Sequence, residues 1–110
     1  MVIEDTTFPN NKIKIGENAK DNDSLVKSSK ETDIWFHISS LSSCHVIIES
    51  SIEYPITKQM IFYCANLVKN HTKYKNINKI TVNYTSIKNV SRTKILGTVT
   101  VKGKVNSVIV

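Results

Sequence analysis

The chain has 110 residues, with 15 lysines and arginines against nine acidic residues and a formal net charge of +6. That length builds one domain around a modest core. No apolar run approaches the roughly 18 residues of a membrane span, and the first residues lack a signal peptide's apolar stretch. The expectation is a soluble, cytoplasmic protein with no membrane partner. Two cysteines, Cys44 and Cys64, do not make a disulfide framework.

The charge is unevenly placed. Up to Thr57 five basic residues stand against nine acidic ones; from Lys58 onward there are ten basic residues and no carboxylate. A half-chain without internal counter-charge projects a positive field. Nucleic acid is the commonest polyanion for such a domain to meet. A merely solubilising lysine surface is the competing reading.

Taken in order, Met1 to Asn11 reads as a weakly structured extension with a turn at Pro9-Asn10-Asn11. Lys12 to Gly16 alternates as a short strand. Asn18 then caps a helix of about ten residues, with acidic residues early and Lys27 late, as a helix dipole favours. Asp33 to Ile38 alternates strictly, which puts Ile34, Phe36 and Ile38 on one strand face and Asp33, Trp35 and His37 on the other. Ser39 to Ser43 is turn-like. Cys44 to Ile48 re-enters a strand, so the two runs form a β-hairpin. On the second strand Cys44, Val46 and Ile48 share a face, with His45 and Ile47 on the other. Whether His45 meets His37 depends on register.

Thr57 caps a helix running to about Asn70, on which Ile56, Met60, Ile61, Cys64, Leu67 and Val68 cluster on one side. That stripe covers the sheet and makes Cys64 a core residue. A basic loop follows from His71 to Asn76 with Tyr74 in its middle. Lys79 to Thr85 alternates as a strand, Ser86 to Lys94 is a polar, basic connection, Gly97 opens a strand through Val101, and Val105 to Val110 closes the chain. The order β-α-β-β-α-β-β-β predicts an α+β domain over residues 1–110: a single-layer, mostly antiparallel sheet with two helices covering one face.

Binding RNA asks for lysines to neutralise phosphate and for rings on which bases stack. The residues that offer this are Trp35, His37 and His45 in the hairpin, and Lys73, Tyr74, Lys75, Lys88, Arg92 and Lys94 in the basic segments. Asp33 is positioned either to orient His37 or to accept from a base amino group. Trp35 fits equally well as a core residue under a second layer, and each histidine as a locally satisfied one. His37, Cys44, His45 and Cys64 lack the paired spacing of a metal site. Asp33 with His37 lacks a nucleophile or phosphate loop for hydrolysis. No cofactor is expected, and no enzyme.

Taken together these stretches resemble the NFACT-R family, the RNA-binding domain of ribosome quality-control tRNA-recruiting factors, and in particular its small standalone members. The likeness is carried by Ile15-Gly16-Glu17-Asn18 through Asn22 to Leu25, by Asp33-Ile34-Trp35-Phe36-His37 running into Ser43-Cys44-His45-Val46, and by Val82-Asn83-Tyr84-Thr85 followed by a basic segment and Gly97. Glu17 departs from the basic residue common after the family's opening glycine. The resemblance implies a non-catalytic module that contacts tRNA or ribosomal RNA, or the ribosome itself, in translation or its quality control. DNA is a further partner the same chemistry admits. The rival expectation is a protein-interaction module whose lysines meet an acidic, ribosome-associated surface.

Overall fold

The computed structural model describes residues 1–110. Eight strands and two helices follow in the order β1 (Ile3–Asp5), β2 (Ile13–Gly16), α1 (Ala19–Ser28), β3 (Ile34–Ile38), β4 (His45–Ile48), α2 (Lys58–Asn70), β5 (Thr81–Ser86), β6 (Val90–Arg92), β7 (Val99–Val101) and β8 (Asn106–Ile109). The α+β class and the expected succession of elements are present, with two short strands, β1 and β6, added. Six strands make one sheet in the spatial order β1-β2-β4-β3-β5-β8, antiparallel throughout, and β6 pairs with β7 in a separate two-stranded sheet.

Both helices start where a side chain takes an unpaired backbone donor of the first turn. The Asp21 N–H donates to Asn18 Oδ1 at 2.9 Å, and the Met60 N–H donates to Thr57 Oγ1 at 3.2 Å. The strands bury what their alternation promised. Phe36, Ile38, Cys44, Val46 and Ile48 join Ile13, Ile15 and Val82 on one sheet face, where Cys64, Ala65 and Val68 of α2 cover them.

The other face departs from expectation. It carries a second core of Leu25, Val26, Trp35, Ile47, Ile87 and Val90, flanked by Val99 and Val101. The two helices therefore lie on opposite faces, α2 on one, and α1 with the β6–β7 ribbon on the other. Ile47 and Trp35 alternate out of the first core, and two apolar residues within a largely polar strand face were too few to announce a second layer. Ile87 and Val90 are likewise isolated in the Ser86 to Lys94 connection. That segment is a single 3-10 turn, Ile87–Asn89, leading into β6.

The amino-terminal residues are also more ordered than their composition suggests. β1 pairs with β2 in the register Ile3↔Ile15. Tyr63 Oη donates to Asp5 Oδ2 at 2.7 Å, and the Phe8 ring meets the Tyr63 ring edge-on at 5.3 Å. A three-residue strand has no periodicity to read; its order comes from contacts with α2, some 58 residues away in the chain.

Candidate nucleic-acid interface

The hairpin register decides the site. β3 and β4 pair as Ile34↔Ile48, Trp35↔Ile47 and Phe36↔Val46, so one step further His37 faces His45 on the α1 side of the sheet. Three rings meet there. Trp35 and His37 are parallel with centroids 5.5 Å apart, while His45 stands edge-on to both, 5.4 Å from Trp35 and 5.2 Å from His37. The row continues through strand pairing, His37 to Asn83 and Asn83 to Ser107. Asn83 is half-buried and Ser107 exposed, so the polar row runs from the rings toward the β8 edge of the sheet.

Beside the rings lies a groove of about 840 Å³. Its floor is Trp35, His37 and His45. The start of α1 (Asn18, Ala19, Asn22), the hairpin tip with Leu41, Lys73 after α2, and Leu96 to Val99 of the β6–β7 ribbon enclose it. Two close approaches hold this frame. Gly16 pairs with His45 across β2 and β4, and a Cβ there would lie 2.4 Å from Asn22 Oδ1. That oxygen accepts the buried His45 backbone N–H at 3.1 Å. On the opposite wall Gly97 takes φ +81°, and a Cβ there would lie 2.7 Å from Ala19 Cα. Gly97 thus lets the ribbon rest directly on the first turn of α1.

Burial sets the protonation of the rings. His45, 2% exposed, is held neutral: desolvation, then the neighbouring His37, pushes its pKa down to about 3. Burial also lowers the pKa of half-buried His37. Cys44 and Cys64 belong to the first core, where burial drives the Cys44 thiol up to about 11 and Cys64 higher still. Cys44 and His45 point to opposite sides of the sheet, so the pair cannot share one metal ion.

Of the ten residues singled out in the sequence, the groove brings together Trp35, His37, His45 and Lys73. Trp35 is 4% exposed, and its packing with α1 and the ribbon means that it is not an open stacking platform; His37 is the accessible ring. Asp33 lies elsewhere. Its carboxylate is 3% exposed and accepts from the Lys30 N–H and Nζ at 3.0 and 2.8 Å and from the Ser50 N–H at 3.3 Å. It staples the start of β3 to the segment after β4 and does not orient His37. Tyr74 packs against the first core with Lys73 Nζ 5.5 Å from its ring. Arg92 donates through Nε and Nη2 to Asp23 at 2.9 and 3.2 Å. Lys75, Lys88 and Lys94 are exposed outside the groove.

Asn22, Asn83 and Ser107 were not among the site residues drawn from the sequence. Alternation places Asn83 on the His37 side of its strand. Nothing in the sequence pairs Asn22 with His45 or Ser107 with Asn83, because both pairings are long-range.

Residues 1–108 match the NFACT protein RNA binding domain. The chain belongs to that family. Coiled-coil domain-containing protein 25 of Danio rerio is 33% identical to this NFACT-R domain over 90 residues, 77% of the chain. The Bos taurus protein of the same name is 36% identical over 86 residues, 74% of the chain. The domain spans 43% and 41% of the length of those two relatives. The fold is shared with the C-terminal part of the fibronectin/fibrinogen-binding protein from Streptococcus suis, at a TM-score of 0.82 and 24% identity, over 91% of this chain and 41% of that one. Membership supports an RNA-binding role. The geometry gives the Gly16, Asn18 and Asn22 opening a physical account: a close approach, a helix cap and a side-chain acceptor for a buried backbone N–H.

Proposed function

We propose that this NFACT-R domain is a non-catalytic cytoplasmic module that binds tRNA or ribosomal RNA at the ribosome, in translation or its quality control. One observation carries the reading. Of the ten basic residues from Lys58 onward only Arg92 has an ion-pair partner. Lys88 and Lys94 flank β6 and Lys102 and Lys104 follow β7, the two strands of the ribbon that walls the groove, and Lys73 lines the groove itself. Lys58 and Lys69 belong to α2, which covers the opposite face of the sheet. Unpaired lysines beside an accessible imidazole suit backbone neutralisation with local base contact.

The test is a salt titration with single-stranded RNA and with tRNA. Neutralising about five phosphates of a single strand makes log affinity fall against log salt with a slope of roughly −3.5. Affinity indifferent to salt, or a cellular partner retained after nuclease digestion, would instead favour docking on an acidic protein surface.

A further inference from the structure

Two buried polar atoms have no hydrogen-bond partner in this fold, Trp35 Nε1 and His45 Nδ1. Their side chains are 96% and 98% buried, leaving 4% and 2% exposed, and both residues belong to the groove floor. An unpaired buried N–H is costly. Packing alone would be served better there by a phenyl ring. A ligand that supplies an acceptor removes the penalty.

We propose that the groove floor receives the base of one unstacked nucleotide of the bound strand, with a base acceptor atom taking the Trp35 Nε1–H. This rests on the RNA-binding reading above and adds its mode: an edge-on contact at the bottom of a recess, not stacking on an open ring.

Size, walls and donors agree. A groove of about 840 Å³ is far larger than a phosphate group and falls in the range of small-ligand pockets. Its sides carry Leu41, Leu96 and Val99, which suit the faces of a heterocycle. Besides the indole, Asn22 lines the groove, and with its amide oxygen held by the His45 N–H its NH₂ group is left to donate. Donors at the floor suit the carbonyl oxygens of a base such as uracil. A phosphate is the poorer match, since Glu17 stands at the mouth and Asp21 already occupies the first turn of α1. His37 stacks on Trp35 at 5.5 Å and meets His45 edge-on at 5.2 Å, and both unpaired atoms are closed to solvent in this arrangement. Reaching the indole N–H requires the half-buried His37 ring to turn aside.

The chain has one tryptophan, so a ¹H–¹⁵N spectrum contains a single indole N–H signal. The probes are a short oligouridylate and an abasic ribose-phosphate strand of the same length. The expected result is a downfield shift of the indole signal with oligouridylate and none with the abasic strand. An equal shift with the abasic strand overturns the proposal, because the backbone then fills the recess. An unmoved indole signal, while amides of the lysine-bearing segments shift, also overturns it and leaves RNA binding intact. No shifts anywhere, and no binding, remove the RNA-binding reading itself. Trp35→Phe keeps a ring and deletes the donor; it weakens oligouridylate binding roughly tenfold with an unchanged salt slope. Unaltered affinity in a folded Trp35→Phe domain counts against the proposal.

Discussion

Acidification provides a direct probe of the ring cluster. His45 is neutral in the folded domain with a pKa near 3, against 6.5 as an ordinary histidine. Between those values the unfolded chain binds a proton that the folded chain refuses, so stability falls as pH falls through this window. Going from about pH 7 to about pH 5 this linkage removes about 2 kcal/mol through His45 alone. The loss hardly depends on how low the folded pKa lies, because at pH 5 the unfolded histidine is already charged and the folded one is not. His37, lowered by burial in the same direction, adds to it. The assay is urea unfolding at both pH values for the wild type and for His45→Gln. The variant removes the titrating group and should lose most of the pH difference, whatever its stability at neutral pH. In the wild type, the His45 ring resonances should hold their neutral position down to about pH 4. Equal acid sensitivity in both proteins, or a His45 ring that titrates near its ordinary value, refutes the account of a desolvated imidazole.

The other predictions concern the frame around the groove. Asn22→Ala leaves the buried His45 N–H without an acceptor and should cost about 1–3 kcal/mol in urea unfolding. Gly16→Ala should be less damaging in the Asn22→Ala background than alone, since the atom its Cβ strikes has gone; simple additivity in a double-mutant cycle would contradict that contact. Asp33→Ala strands the Lys30 and Ser50 N–H groups and should lower stability by about 2–4 kcal/mol, with the salt slope of RNA binding unmoved. A changed slope would return Asp33 to the interface. Gly97→Ala meets φ +81° and the Ala19 backbone together, so the melting temperature and RNA affinity should fall in step as the ribbon lifts from α1. A domain equally stable and equally tight in binding would mean that the ribbon does not build the groove wall.

Much of this architecture was legible one residue at a time. Asn18 and Thr57 announced their helices because capping is local chemistry. Strict alternation from Asp33 to Ile38 sorted Phe36 from Trp35 because a strand turns its side chains by halves. The lack of carboxylates after Lys58 marked the charged half without any structure at all. Tertiary pairing decided the rest. Only the hairpin register brings His37 against His45, only the opposite placement of α1 and α2 encloses Trp35 and commits it to a second core, and only the fold ties Asp33 to Ser50 and Arg92 to Asp23. The physical reason is range: caps, periodicity and net charge are written within a few neighbouring residues, whereas the partner that uses up a carboxylate or covers an indole arrives from elsewhere in the chain.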